Sequence, residues 1–177
     1  MAHTLLHREM ENDMTQTVLI LGPTGRFGRN AALAFEIAGW DVRRFDRKTD
    51  ALENAARGVD VIVNAWNPPY QKWNAQVLAM QPSVHRAALA NDATVVIPGN
   101  VYVFGAQTPA PWSDTSEYRA TNLLGQIRIK MEQSYRDAGV RTIVLRAGDY
   151  LDTEPSGNWF DRIMAPSLRK GALTFPG

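Results

Sequence analysis

Two periods of apolar residues organise the chain. Val18-Leu19-Ile20-Leu21 is an unbroken apolar run ended by Gly22, the pattern of a strand buried on both faces of a parallel sheet. Phe27, Ala31, Ala34, Phe35 and Ala38 then recur at helical spacing until Gly39. Trp40 to Phe45 predicts a second strand. Residues 49–57 predict a short helix capped by Thr49 or Asp50. Val59 to Asn64 predicts a third strand, broken off by Asn67-Pro68-Pro69. Residues 71–91 read as helix, kinked or split at Pro82. Thr94 to Ile97 predicts a fourth strand, and residues 105–117, rich in Pro, Thr and Ser, a loop. Leu123, Leu124, Ile127, Met131 and Tyr135 form the apolar stripe of a further helix, stopped by Gly139, and Thr142 to Leu145 predicts a fifth strand. From Asp149 the pattern predicts a loop, an amphipathic helix (Trp159, Ile163, Met164, Leu168) and a short apolar run, Ala172-Leu173-Thr174-Phe175.

Strands alternating with helices in this way predict an α/β fold, a right-handed, doubly wound parallel sheet of the Rossmann type. The 177 residues suffice for one domain with a sizeable core. That domain is expected over residues 17–177. Residues 1–16 mix acids, bases and histidine without the apolar stretch of a signal peptide, and read as a disordered extension.

Composition narrows the chemistry. Nineteen basic residues stand against eighteen acidic ones, a balance that gives no footprint for nucleic acid or an anionic membrane. No apolar run approaches the ~20 residues that span a bilayer. The absence of cysteine excludes disulfides, thiolate catalysis and Cys-ligated metal sites. His3 and His7 lie in the polar extension and His85 stands alone, so no metal site is expected and His85 reads as a helix-surface residue. A cytoplasmic location is the expectation.

The chemistry-bearing segment is Gly22-Pro23-Thr24-Gly25-Arg26-Phe27-Gly28, set between a buried strand and a helix. Gly22 allows the tight turn, Gly25 lets backbone approach a pyrophosphate, and Gly28 allows close helix–sheet packing. The helix N-terminus offers free N–H groups and the positive end of its dipole to phosphates, with Thr24, Arg26 and Phe27 beside them. Asp46 ends the second strand about twenty residues on, where a carboxylate accepts hydrogen bonds from the adenosine ribose of NAD. Arg47 follows at once, and Arg26, Arg43 and Arg44 lie near, each able to pair with the 2′-phosphate of NADP. NAD is the preferred reading, with NADP open.

These residues resemble the extended and atypical short-chain dehydrogenases/reductases, the NAD-dependent epimerase/dehydratase family. Gly22-x-x-Gly25-x-x-Gly28 has that family's spacing. Asp60-Val61-Ile62-Val63-Asn64-Ala65 is similar to its third strand, which implies that Ala65 and Trp66 lie against the cofactor. Val103-Phe104-Gly105, Leu145-Arg146-Ala147-Gly148 and Gly157-Asn158-Trp159-Phe160 resemble later family segments, so the likeness covers residues 17–177. The family places a general acid/base tyrosine, a lysine four residues later, and a Ser or Thr around the nicotinamide. Matched on Glu132 and on Val103-Phe104-Gly105, those positions hold Leu124, Arg128 and Asn100. Leucine moves no proton, whereas Arg128 retains donors for ribose hydroxyls and Asn100 can orient a carbonyl. Tyr102 or Tyr150 is the candidate substitute acid. Members also continue about a hundred residues further, around their substrate.

Two functions follow. The first is an NAD(P)-dependent, epimerase/dehydratase-like oxidoreductase acting on a small hydroxyl or carbonyl compound, with Asn100, Tyr102 and Arg128 as catalytic candidates. The second is a non-catalytic dinucleotide-binding sensor or partner-binding module. A homodimer through the Leu123–Tyr135 helix is the assembly the resemblance implies. Trp66, Trp73, Trp112 and Trp159 are candidates for a pocket or interface.

Overall fold

The structure is a computed structural model describing residues 15–152, 154, 156–158 and 160–173. Residues 1–14 of the expected extension, Trp159, and Thr174 and Phe175 of the last apolar run lie outside the described residues. The elements are β1 (Thr17–Leu21), α1 (Arg26–Ile37), β2 (Asp41–Phe45), α2 (Leu52–Ala55), β3 (Val61–Asn64), α3 (Trp73–Ala90), β4 (Thr94–Asn100), α4 (Leu123–Asp137) and β5 (Thr142–Ala147). All five strands are parallel, in the order β2-β1-β3-β4-β5. The chain winds one way from β1 to β2 and the other way from β3 to β5. The switch therefore falls between β1 and β3, where open α/β sheets bind ligands.

Period-2 alternation sends side chains to two cores. Leu19 and Leu21 of β1, with Val95 and Ile97 of β4, pack under α2, α3 and α4. Val18, Ile20 and Val63 pack under α1, through Ala32 with Phe27, Ala31 and Phe35. Helices on both faces make the sheet doubly wound, as the pattern predicts. All five residues of β1 are buried, which is why Val18 to Leu21 run without a polar residue. The sheet edge is different: Ile143 and Leu145 of β5 are half exposed beside α1.

Several local expectations need correction. Pro82 neither splits nor ends its helix, because α3 runs through it. Trp73, Val77, Gln81, Val84, Ala87 and Ala88 stay buried on both sides of the proline, so one packed face carries the helix across the lost N–H. The helix predicted at 49–57 shrinks to Leu52–Ala55. Its expected cap Asp50 instead accepts from the Asp46 amide at 2.8 Å. β4 extends past Ile97 through Pro98 and Gly99. Its pairing with β3 stops at Val96, so Pro98 faces no β3 partner that needs its missing N–H. The last amphipathic stretch is a π-helical turn, Phe160–Met164, leading into 3-10 turns at Ala165–Lys170, where Pro166 cannot donate a helical hydrogen bond.

Candidate functional site

At the carboxyl ends of β1, β3, β4 and β5 lies a cleft of about 690 Å³. Gly25 and Phe27 form one end. Trp66, Tyr70 and Trp73 form a wall, Asn100, Tyr102 and Arg128 the floor, and Tyr150, Asn158 and Arg162 complete the lining, Arg162 beside Gly157. The glycine loop has the geometry its spacing demands. Gly22 sits at φ +77°, and a Cβ there would meet the Ala65 carbonyl oxygen at 3.1 Å. A Cβ on Gly28 would lie 2.1 Å from the Gly22 carbonyl oxygen. α1 starts on Gly25 with no side-chain cap, which leaves its first N–H groups open.

The segment after β5 folds back over this loop. Arg26 Nε donates to Ser156 Oγ at 2.6 Å and its Nη2 to the Ser156 carbonyl at 3.0 Å. Arg29 pairs with Asp152 at 2.7 Å. Asp161 accepts from the amides of Ser156, Gly157 and Asn158 at 2.7, 2.8 and 3.3 Å. The Ser156 amide, with those of Gly157 and Asn158, holds the Asp161 carboxyl below the usual carboxylate range against desolvation. Desolvation also opposes the shift of Asp152, which hydrogen bonds from Asn30 and neighbouring groups and the Arg29 charge nevertheless carry downward.

Asp46 and Arg47 are exposed beyond the cleft, at the end of β2. Asp46 Oδ1 accepts from the Lys48 amide at 2.9 Å, while the Arg47 side chain has no partner among the described residues. Arg44 pairs with Glu36, and Arg43 donates to the Arg57 carbonyl at 2.7 Å. Both are occupied on the surface. Thr24 is exposed on the turn, and Ala65 underlies Gly22.

The structure brings Asn100, Tyr102 and Arg128 together. Asn100 Oδ1 accepts from the Tyr102 amide at 3.1 Å, holding the turn Val101–Val103. The Tyr102 hydroxyl lies 3.2 Å from that of Tyr70. Burial, then the Tyr70 hydroxyl, push Tyr102 up to about 12. The Tyr150 hydroxyl is turned to backbone: it donates to the Gly99 carbonyl at 2.7 Å and also lies on that of Leu145. Leu124 is half-buried against the core, as its stripe implies.

Arg128 is 7% exposed. Its guanidinium lies over the Trp73 ring at 4.3 Å and donates to Asn67 Oδ1 at 3.0 Å, and its Nε has no partner. Burial pulls the guanidinium below its usual range. Glu132, one turn on, is spent on Arg146, with contacts of 2.7 and 3.1 Å. Arg146 also donates to the Asn100 carbonyl and to the Tyr118 hydroxyl, which ties β4, β5 and α4 together behind the cleft. Asn64 donates to the Tyr135 hydroxyl and Gln81, a buried cluster that fixes the end of β3 from which Trp66 departs.

Of the tryptophans, Trp73 lies buried in the cleft wall, its Nε1 donating to the Pro68 carbonyl at 2.8 Å. Trp66 packs edge-on to Phe45, and Trp112 stacks on Phe104 outside the cleft. His85 packs on Tyr135 and does not line the cleft; burial lowers its pKa. Sequence reasoning missed Asn67, Tyr70, Ser156, Asp161 and Arg162. Asn67 carried a signal only as part of a Pro-rich break. The others make their contacts through the fold.

No family model and no curated protein matches the chain. Solved structures do. The dTDP-4-dehydrorhamnose reductase of Yersinia enterocolitica aligns at TM-score 0.73 and 19% identity, over 89% of this chain and 61% of that one. The reductase of the same name from Bacillus anthracis, in complex with NADP, aligns at 0.62 and 19%, over 80% and 57%. UDP-glucose 4-epimerase from Brucella ovis, in complex with NAD, aligns at 0.63 and 14%, over 75% and 51%. These identities establish a shared Rossmann fold, and this chain spans 61% or less of the length of each of the three.

Proposed function

We propose that this chain is an NAD(P)-dependent oxidoreductase of the epimerase/reductase kind, acting on a small hydroxyl or carbonyl compound. The observation that carries this reading is one continuous cleft. It joins the glycine turn at the β1/β3 switch point to Asn100, Tyr102 and Arg128. The lack of room for a Cβ at Gly28 and the uncapped start of α1 suit a pyrophosphate bound by backbone. NAD is the preferred dinucleotide, through the free oxygen of Asp46, and Arg47 is the candidate partner for a 2′-phosphate.

The dinucleotide, when bound, supplies or accepts hydride. Tyr102 holds the proton. With its pKa raised it stays neutral at ordinary pH, so it donates to a substrate oxygen and Tyr70 follows as the next hydroxyl in line. Asn100 orients a carbonyl by its amide. Arg128 supplies N–H donors on the cleft floor. Glu132 and Arg146 hold that floor in place.

A second reading, a non-catalytic dinucleotide-binding module, is favoured by Leu124, which packs where the family has its tyrosine. We place the domain at residues 17–177, as a homodimer through α4 in the cytoplasm. No helix among the described residues is long and apolar enough to cross a membrane. Calorimetric titration of NAD(H) and NADP(H), with Gly25→Val as control, tests the proposal. Micromolar binding lost in the variant supports it, and no binding up to millimolar overturns it. Turnover of a carbonyl compound that Tyr102→Phe removes without changing that affinity separates the enzyme from the module.

A further inference from the structure

Arg128 is a buried cation without a counter-ion. Among the described residues it forms no ion pair, and the nearest acid along its helix, Glu132, is held by both oxygens on Arg146. Its Nη1 has only the Met131 sulfur at 3.5 Å, its Nη2 only the neutral Asn67 amide, and its Nε nothing. An arginine in this position is costly, because a charge is taken out of water without a partner. It is also held rigidly. The Trp73 ring fixes its plane, and that ring is itself pinned to the Pro68 carbonyl.

The rest of the cleft has the same sign. Asp149 is the one carboxylate on its described walls, against Arg26, Arg128 and Arg162. Arg26 and Arg162 stand at the end of the cleft by Gly25 and Gly157. Arg128 stands apart from them, on the floor with Tyr70 and Tyr102. A ribose diol or a sugar hydroxyl would fill its donors and leave its charge uncompensated. A carboxylate supplies both, its two coplanar oxygens matching the planar guanidinium fork.

We infer that Arg128 receives a carboxylate, so the compound reduced or oxidised here is a small carboxylic acid bearing a carbonyl or hydroxyl group, seated among aromatic side chains. That the compound reacts rests on the oxidoreductase reading; the carboxylate site itself does not.

The probes are benzoate, its neutral counterpart benzamide, and inorganic phosphate, each titrated calorimetrically into the wild-type chain without dinucleotide. Benzoate is expected to bind at least tenfold more tightly than either of the others. Asn67→Asp is the decisive variant, because it puts a carboxylate within 3.0 Å of Nη2 and neutralises the guanidinium from inside. It is expected to lose benzoate binding at least tenfold while its melting temperature rises. Arg128→Gln should lose the binding too, and Asn67→Asp keeps the test valid if that variant fails to fold. Equal binding of benzamide, binding of phosphate as tight as benzoate, or full benzoate affinity in Asn67→Asp overturns the inference. Benzoate bound with no dinucleotide bound supports the carboxylate site and overturns the oxidoreductase reading. Dinucleotide bound with no benzoate bound overturns this inference alone.

Discussion

At Gly28 a single methyl group would fall on backbone, 2.1 Å from the Gly22 carbonyl oxygen. No side-chain rotation relieves that contact. Gly28→Ala is therefore expected to destabilise the fold by about 1–3 kcal/mol, read from the urea midpoint. Tyr102 and Tyr150 both reach the cleft, and the partners of their hydroxyls separate them. Tyr102→Phe should lower turnover by about 100-fold or more. Tyr150→Phe should leave turnover near wild type and cost stability through the lost Gly99 bond. The pH profile carries the same assignment. A phenol raised to about 12 keeps its proton below that value, so kcat should show no alkaline loss from Tyr102 through the ordinary assay range. A fall in kcat at pH 9 that Tyr102→Phe abolishes would refute it. The glycines were legible in the sequence because their spacing encodes local backbone shape. The Arg128–Asn67 contact was not, since it joins residues 61 apart whose meeting depends on how α4 packs beside β3.

Elements were legible where one period persists. β1 stands as the pattern predicts, and so does the α4 stripe at Ile127, Met131 and Tyr135, whereas Leu123 at the helix start is exposed. The failures came where a local rule met tertiary packing. Pro82 is a helix breaker by local chemistry, yet α3 keeps its buried face on either side of it. The proline still leaves one carbonyl unpaired, so Pro82→Ala should stabilise the protein by about 1 kcal/mol or more, seen as a higher denaturation midpoint. The segment after β5 is the opposite case. It carries little periodicity and is held instead by Asp161 on three amides. A carboxyl held low contributes stability above its unfolded pKa of about 3.9 and loses it as pH falls toward the folded value. Exchange protection of the Ser156 and Gly157 amides should therefore fall as pH drops below about 4. Asp161→Asn should show the same loss at neutral pH. Protection unchanged in that variant would refute the assignment.

For the molecule as a whole, the doubly wound parallel sheet could be read from alternation; the strand order, and with it the switch between β1 and β3 beside the candidate cleft, comes from the structure. The uncovered sheet face could not be read. Ile143 and Leu145 look like core residues in the sequence and are 56% and 50% exposed on edge strand β5, with Leu151 70% exposed near them. Leu145→Ser should then cost about 1 kcal/mol or less and reduce concentration-dependent light scattering. A loss of several kcal/mol would mean that this face is covered in solution. Among the described residues, the hydrogen bond with the widest sequence separation joins Arg26 to Ser156, 130 residues apart. It has a kinetic meaning. Arg26 lines the cleft beside Gly25, so a dinucleotide held on the glycine loop would have that tie as a neighbour, and its release would be expected to depend on the Arg26–Ser156 bond. Residence time would then be set by the rate at which the protein unfastens, so Ser156→Ala would quicken release while leaving the encounter rate as it was.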